Sequence, residues 1–189
     1  MKKSDHQTAT VLLSGGVDSA ACAHFYLAQG VRVHPLFVSY EQPASDAELK
    51  SARAICKFYG IALRVVTVRG LRIPSSGEIP GRNLFLVTAA LMSGGGESNL
   101  IALGVHAGTR YFDCSPPFTT LCEKLLEGYA DGRTRIGAPF LKLNKGQVWS
   151  YCKQYHVPVH LAWSCEASGK KACGKCLSCR DRRDLLAGA

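Results

Sequence analysis

The sequence predicts an α/β fold in which helices cover both faces of a parallel sheet, with a small module at the C-terminal end. Apolar, β-branched runs alternate with helix-like segments along most of the chain, the rhythm of βαβ units. A serine- and glycine-rich turn, residues 14–19, lies between the first such run and the first helix. Four cysteines lie within residues 165–179.

The length of the chain predicts one core-forming domain with a small addition. With 189 residues, 47% of them hydrophobic, the chain can bury a proper core. We expect an α/β domain over residues 1–160 and a cysteine-rich module over residues 161–189, packed on it. The first residues carry no apolar stretch behind their lysines, and no run reaches membrane-spanning length, so we expect a cytoplasmic protein with no membrane association.

The formal net charge of +9 favours anionic ligands such as ATP, other nucleotides or RNA. Arginine and lysine are scattered and not clustered, however, and aromatic residues do not alternate with them as stacking platforms would. Nucleic-acid binding therefore has weaker support than nucleotide binding.

The first half of the chain reads as three strands and three helices. Apolar runs predict strands at 9–13, 31–39 and 61–68, and helix patterns cover 20–29, 46–59 and 84–92. Ser45 and Glu48 have the spacing of a capping box for the second helix. Glycines at 30 and 60 end the first two helices.

The second half predicts one more strand, at 100–103, and two helices. Ser115 followed by two prolines is a helix start, and the stripe that follows is apolar: Phe118, Leu121, Cys122, Leu125, Leu126 and Tyr129. Asn144 and Gln147 cap the next helix, whose inner face is Val148, Tyr151, Cys152 and Tyr155. Ligands of such sheets bind beyond the carboxyl ends of the strands.

The turn Ser14-Gly15-Gly16-Val17-Asp18-Ser19 is the strongest candidate binding site. Two glycines let backbone N–H groups point into one concavity, and the helix behind them adds unpaired donors and a positive dipole end. The serine hydroxyls suit phosphate oxygens, and Asp18 could hold Mg²⁺ or orient a donor. The Walker spacing is absent here; its near-match at 169–176 ends in cysteine and overlaps the metal site described next.

The cysteines Cys165, Cys173, Cys176 and Cys179 predict a structural metal site. Cys173, Cys176 and Cys179 form two overlapping Cys-x-x-Cys pairs, whose sulfurs are suitably placed for one ion. With Cys165, four thiolates complete a tetrahedral Zn²⁺ shell with no open position. An iron–sulfur cluster is the competing interpretation. The other five cysteines, Cys22, Cys56, Cys114, Cys122 and Cys152, read as small buried hydrophobes, although polar neighbours set Cys114 apart.

The turn resembles the S-G-G-x-D-S loop of the ATP pyrophosphatase (PP-loop) superfamily, which has a HUP-type, Rossmann-like fold. Four further stretches agree with one family in it, the 7-cyano-7-deazaguanine synthases of queuosine biosynthesis. They are Pro80-Gly81-Arg82-Asn83, Gly104-Val105-His106 with Tyr111-Phe112-Asp113-Cys114, Pro139 to Lys145, and Trp163-Ser164-Cys165. The resemblance covers residues 11–183.

The resemblance implies an ATP-dependent carbon–nitrogen ligase that uses ATP, Mg²⁺ and Zn²⁺. Such an enzyme adenylates 7-carboxy-7-deazaguanine, forms the amide with ammonia, and dehydrates the amide to the nitrile after a second activation. We also expect a homodimer.

Position by position, the resemblance assigns residues 13–19 to the ATP phosphates, namely Leu13, Ser14, Gly15, Gly16, Val17, Asp18 and Ser19. It implies that Lys145 neutralises the departing pyrophosphate. Arg82 is expected to bind phosphate or the substrate carboxylate, and Asp113 the base edge or ammonia. Asn83 is interpreted as a helix cap.

The sequence also departs from the family. The usual Tyr-Gly-Gln-Arg-His string reads Tyr40-Glu41-Gln42-Pro43-Ala44 here, and the loop after Gly104 is shorter. A relative that activates the same acid but delivers it to another amine, on a protein or nucleic acid, therefore stays open. So do a PP-loop tRNA sulfur-transferase, which the isolated Cys114 disfavours, and a non-enzymatic zinc module that binds nucleic acid.

Overall fold

The computed structural model describes residues 7–74, 78–94, 98–109 and 111–187. Five parallel strands form one sheet in the order β3-β2-β1-β4-β5. The strands are β1 (Thr8–Leu12), β2 (Arg32–Ser39), β3 (Arg64–Thr67), β4 (Leu100–Ala102) and β5 (Arg135–Gly137). The all-parallel sheet confirms the fold class predicted from the sequence.

In the described residues, six helices connect and extend these strands. They are α1 (Val17–Ala28), α2 (Ser45–Tyr59), α3 (Arg82–Met92), α4 (Pro116–Ala130), α5 (Lys145–Gln154) and α6 (Leu177–Ala187). Short 3₁₀ turns occur at Phe112–Cys114 and Val159–Leu161. Within the described ranges, none of the helices combines the length and apolarity that a bilayer crossing requires.

The central strand β1 divides the core into two layers because its alternate residues point to opposite faces of the sheet. Val11 and Leu13 belong to the layer formed with α1, α2 and α5, whereas Leu12 belongs to the layer formed with α3 and α4. Helices therefore cover both faces of the sheet, as expected for a parallel sheet.

Two strands differ from the sequence prediction. The third strand is only Arg64–Thr67 and mostly exposed, because β3 lies at the edge of the sheet. The fifth strand was not predicted. Its three residues, Arg135–Gly137, pair with β4, and a run this short carries no periodic signal of its own.

The predicted capping box at the start of α2 is wrong. The N-cap residue is Ala44, with no side-chain hydrogen bond to the helix. The Ser45 hydroxyl lies 2.9 Å from the Ser39 hydroxyl, and the Glu48 carboxylate accepts a hydrogen bond from Gln42 Nε2 at 2.9 Å. Tertiary partners thus take both side chains away from the local motif.

The other two predicted helix starts are confirmed. The Ser115 hydroxyl accepts a hydrogen bond from the Phe118 amide, with proline in the first turn of α4. Asn144 and Gln147 form a complete capping box at α5, in which each side chain bonds the other residue's backbone amide.

The apolar stripe of α4 is only half buried. Phe118, Cys122 and Leu126 lie in the core, but Leu121, Leu125 and Tyr129 are exposed. The apolar stripe predicted from the sequence comprises all six of these residues. It is too wide for the single layer that covers α4, so the outer half remains at the surface.

Helix α6 contacts the preceding segment at residues 159–162 by both polar and apolar contacts. Arg182 on α6 donates hydrogen bonds to the carbonyls of Ala162 and Val159 at 2.6 and 3.0 Å. Leu185 adds a partly buried apolar contact. The division of the chain at residue 160 remains a prediction.

Candidate active site

The loop at residues 14–16 turns tightly because glycine occupies position 15. Gly15 has a φ of +84°, and a Cβ there would lie 2.4 Å from the Glu48 carbonyl oxygen. The Ser14 hydroxyl donates to Ser19 Oγ at 3.2 Å, and Ser19 Oγ donates to the Gly16 carbonyl at 3.0 Å. No side chain caps α1. Among the described residues no side chain takes up the first N–H groups of the helix, so they are available to an anion.

The two apolar residues predicted within the phosphate loop support it from below. Leu13 is fully buried, and its amide donates to the Leu36 carbonyl at 2.9 Å, which extends the β1–β2 ladder by one residue. Val17 is also buried, at the first turn of α1. Their side chains therefore anchor the loop, and only their backbone can contribute to a ligand.

Ser51 holds the loop from the side, and sequence reasoning missed this residue. Its hydroxyl lies 2.7 Å from the Gly15 carbonyl and 2.6 Å from the Leu161 carbonyl, and it accepts the Trp163 amide at 3.1 Å. Trp163 N also donates to Gly15 O at 2.9 Å. The buried serine on α2 thus ties the loop to the segment that enters the cysteine cluster.

Asp18 and Lys145 form an ion pair between the loop and the start of α5. Lys145 Nζ contacts Asp18 Oδ2, and the α5 capping box places the lysine at the first position of its helix. The other oxygen, Asp18 Oδ1, is buried and has no hydrogen-bond partner in the part of the chain that the structure describes. A buried carboxylate oxygen without a partner is costly, so Oδ1 is suited to a cation or a donor supplied by a ligand.

His106 completes this group and was not assigned a role from the sequence. Its Nδ1 accepts a hydrogen bond from the Gly108 amide at 2.9 Å, and its Nε2 lies 3.8 Å from Asp18 Oδ2. Burial lowers the pKa of His106 below its ordinary value; Asp18 opposes this shift and Lys145 adds to it. The signal available in the sequence was that His106 closely follows the predicted strand at 100–103.

A cavity of about 230 Å³ opens beside this group, at the carboxyl ends of β1, β2 and β4. Part of its wall is aliphatic, from Leu36, Val38, Leu86, Leu103 and Val105. The sheet order places β2 and β4 on opposite sides of β1, so the cavity lies at the switch point where open α/β sheets bind ligands. Gly104 permits this geometry, since a Cβ there would lie 2.4 Å from the Asp18 carbonyl oxygen.

Polar side chains beyond the loop also line the cavity. Tyr40, Gln42, Glu48 and Arg82 line it. Burial raises the pKa of Tyr40, and the positive charge of Arg82 partly opposes that shift. Burial likewise raises the pKa of Glu48, and the Gln42 hydrogen bond and Arg82 lower it. Arg82 therefore faces the same cavity as the phosphate loop, as its predicted role requires.

Asn83 and Asp113 connect α3 to the 3₁₀ turn at 112–114. The prediction that Asn83 caps the helix is wrong, because Gly81 is the N-cap. The Asn83 amide group donates to the Asp113 carbonyl at 2.9 Å, and the Asp113 carboxylate accepts the Asn83 backbone amide at 3.2 Å. Asp113 lines a second cavity, of about 520 Å³, and not the first one. Its carboxylate thus fixes the start of α3, next to Arg82.

The four C-terminal cysteines converge as predicted. The sulfur atoms of Cys165, Cys173, Cys176 and Cys179 all lie within 4.8 Å of one another. Backbone N–H groups of Lys175 and Cys176 point at Cys173 Sγ at 3.4 Å and lower the pKa of Cys173 to about 6. Burial and the neighbouring Cys176 thiol raise the pKa of Cys179 to about 12. Four thiols this close need a cation in order to ionise together.

The size of this cluster fits one ion. Thiolates that bind Zn²⁺ tetrahedrally at about 2.3 Å lie roughly 3.8 Å apart, and Cys173 Sγ is 4.0 Å from Cys179 Sγ. Cys165 is buried, and its carbonyl accepts the Trp163 indole N–H at 2.8 Å. The donor set therefore suits a structural metal ion.

The chain resembles several solved structures in fold. One is a predicted subunit of a tRNA methyltransferase from Methanocaldococcus jannaschii, with a TM-score of 0.54 at 16% identity over 78% of this chain and 74% of that chain. Another is a 4-thiouridine synthetase in complex with RNA and ATP, with a TM-score of 0.51 at 16% identity over 96% of this chain and 50% of that chain. At such low identity the likeness shows the fold alone.

Sequence comparison is more specific. A protein named 7-cyano-7-deazaguanine synthase from Acetivibrio thermocellus is 31% identical over 90% of this chain and 89% of its own length. One of the same name from Desulfitobacterium hafniense is 30% identical over 90% of this chain and 84% of its own. The family model of the queuosine biosynthesis protein QueC matches residues 8–78 and 72–188. The chain therefore belongs to the QueC family of queuosine biosynthesis proteins.

Proposed function

We propose that the protein is an ATP-dependent carbon–nitrogen ligase that converts 7-carboxy-7-deazaguanine into 7-cyano-7-deazaguanine. The observation that carries the proposal is the cavity itself. The phosphate-type loop and the polar side chains of Tyr40, Gln42, Glu48 and Arg82 line one cavity at the switch point of the sheet, in a chain whose relatives bear the name of this activity.

The first half-reaction is an adenylation. A carboxylate oxygen of the acid attacks the α-phosphorus of ATP, the bond from that phosphorus to the oxygen bridging to the β-phosphorus breaks, and pyrophosphate leaves. The loop amides at 15–17, with Ser14 and Ser19, hold the phosphates, and Lys145 balances the charge that develops on pyrophosphate.

Ammonia then completes the conversion. Its nitrogen attacks the acyl carbon of the adenylate, AMP leaves, and loss of a proton gives the amide. The amide oxygen attacks a second ATP, again releasing pyrophosphate. Loss of AMP and of both protons on nitrogen from that intermediate forms the nitrile, so the amide oxygen departs on AMP.

Asp18 is suited to Mg²⁺ through its unpartnered oxygen Oδ1; when bound there, the ion would neutralise phosphate charge. Asp18 Oδ2 holds Lys145 in place. Arg82 lies in the cavity and is suited to the substrate carboxylate or the α-phosphate. For Asp113, the hydrogen bond to the Asn83 amide supports a positioning role through α3. The four cysteines would hold Zn²⁺ as a structural ion.

A second candidate function keeps the adenylation and changes the acceptor to another amine. Pro43 and Ala44 stand where the family string has arginine and histidine, with Pro43 exposed and Ala44 buried. This segment thus supplies no titratable group at those positions. A sulfur-transferase has less support, since Cys114 is buried and burial raises the pKa of its thiol.

Product identification separates these functions. The protein is incubated with ATP and the acid, with and without ammonia, and nucleotides and bases are identified by mass. AMP, pyrophosphate and the nitrile support the proposal. Acid-dependent AMP release with no amide or nitrile supports the alternative acceptor. Release of ADP and phosphate alone in the first half-reaction contradicts adenylation.

The homodimer expected from the sequence also remains a proposal. The exposed half of α4, with Leu121, Leu125 and Tyr129, offers an apolar face for a second copy. Sedimentation should show a dimer, and Leu125→Lys should shift it to monomer while Lys124→Gln does not. A wild-type monomer at all concentrations would contradict this.

A further inference from the structure

We propose that Glu48, held by Gln42, reads the guanine edge of the base and so sets the specificity of the cavity. The inference rests on the proposed function and assigns a recognition residue within it. A guanine-type base has two neighbouring donors, the ring N1–H and the 2-amino group. The complement of two parallel donors is a carboxylate.

The position of Glu48 suits this role. Glu48 and Gln42 line the same cavity as Ser14, Gly16 and Asp18 of the phosphate loop. In the substrate acid, the carboxyl group is on the five-membered ring and the two donors are on the six-membered ring. In the proposed orientation the carboxyl group of the base faces the phosphate loop and Arg82, and its donor edge meets the Glu48 carboxylate, with Leu36, Val38 and Leu103 beside the ring.

The Glu48 carboxylate is oriented by Gln42. The Gln42 side-chain oxygen accepts the Tyr40 amide at 2.8 Å, and its Nε2 donates to Glu48 Oε2 at 2.9 Å. Over the ranges that the structure describes, Glu48 Oε1 has no hydrogen-bond partner. Oε2 is therefore fixed by Gln42, and Oε1 is left to accept a hydrogen bond from a ligand. Oε2 can accept a second one through its other lone pair.

The volume and the charge favour the base acid over the adenine of ATP. At about 230 Å³ the cavity is smaller than the roughly 300–1,000 Å³ of pockets that enclose larger ligands. The corresponding edge of adenine pairs one amino donor with the N1 acceptor, whose lone pair would face a carboxylate oxygen. Burial makes such an unmatched contact costly, so Glu48 selects against adenine.

The test compares two substrates and two variants. The substrates are 7-carboxy-7-deazaguanine and its analogue without the 2-amino group, and acid-dependent pyrophosphate release is measured for each. Wild type should prefer the guanine acid by about 10²-fold in kcat/KM. Glu48→Gln should raise KM for the guanine acid by about 10²-fold, leave KM for ATP within about threefold, and bring the preference close to one.

Asp46→Asn is the matched control, because it removes one carboxylate from the same helical turn at an exposed position. It should keep the wild-type preference. If Glu48→Gln lowers kcat/KM equally for both acids, the role of Glu48 is structural. If the variant raises KM for ATP, Glu48 lies at the nucleotide. Either result overturns the inference. Equal wild-type kcat/KM for the two acids also overturns the inference, and this result does not depend on whether the variant folds. Failure of the wild type to use either acid would instead overturn the proposed function, and the inference with it.

Discussion

The two oxygens of the Asp18 carboxylate have different surroundings, and the difference explains how one residue can serve two roles. Oδ2 contacts Lys145 and lies 3.8 Å from His106 Nε2. Oδ1 is buried with no partner among the residues that the structure describes. One oxygen thus holds Lys145 and faces His106 beside the loop, while the other is available to a ligand.

Asp18→Ala should lower acid-dependent pyrophosphate release by about 10²–10³-fold, the usual loss when one preorganised charge-stabilising contact is removed. The effect should be on kcat more than on KM, since the charge develops in the transition state. Asp46→Ala, at an exposed position on α2, should stay close to wild type. Equal activity of the two variants would remove Asp18 from the mechanism.

The His24 side chain, on α1 and away from the phosphate loop, makes the stability of the protein depend on pH. Its Nδ1 lies 2.8 Å from the Tyr151 hydroxyl, and burial lowers the pKa of His24 below 6.5. The unfolded chain therefore binds the proton first as the pH falls. The contribution of His24 to the free energy of unfolding is complete above pH 6.5 and is lost as the pH decreases through the folded-state pKa.

Urea unfolding at about pH 7.5 and about pH 5.5 should show this. Wild type should lose stability at the lower pH, and His24→Gln should lose less, because a glutamine does not titrate. The exposed His160→Gln provides the control and should follow wild type. If both variants lose as much free energy of unfolding between the two pH values as wild type does, His24 is not the group that causes the loss.

The start of α5 shows how one element combines stability with function. Its capping box pairs Asn144 with Gln147, and the first helical residue after the cap is Lys145, which reaches Asp18. A change in the cap therefore loosens both the helix and the cation next to the phosphate loop.

Asn144→Ala should lower the free energy of unfolding by about 1 kcal/mol and also reduce pyrophosphate release. Gln147→Ala should cost less, and the double variant should cost less than the sum, because the two side chains form one reciprocal motif. Chemical denaturation measures all three, with Gln154→Ala at the exposed end of the helix as the control. Strict additivity would mean that the two hydrogen bonds act independently.

At the scale of the whole molecule, the cysteine cluster and the phosphate loop are connected. Trp163 donates its amide to Gly15 and to Ser51, and its indole to Cys165. Cys165 belongs to the sulfur cluster. Loss of a metal ion from the cluster should therefore weaken the site for ATP as well as the C-terminal fold.

The purified protein should be colourless and hold one zinc ion per chain, because four thiolates close a tetrahedral shell. Strong chelation, and Cys176→Ser separately, should lower Tm and weaken ATP binding measured by calorimetry. The buried Cys122→Ser lies outside the cluster and should retain zinc. A brown protein with stoichiometric iron, or a soluble and fully active metal-free Cys176→Ser, would contradict the structural zinc.

The sequence alone determined the features that depend on local pattern. Alternation of apolar runs and helix faces predicted the parallel sheet, the loop at 14–19 predicted an anion site, and Cys-x-x-Cys spacing predicted the convergence of Cys165 with Cys173, Cys176 and Cys179. Each signal lies within a few residues, where bond geometry limits the outcomes.

Only the tertiary structure decided which side chains meet across the chain. It took Ser45 and Glu48 from a helix cap to partners on β2 and the following loop, moved Asn83 from a cap to Asp113, and left half of the α4 stripe exposed. It also joined Ser51 to the phosphate loop. These choices depend on long-range packing, where a buried polar group takes the best available partner, and no local pattern encodes that partner.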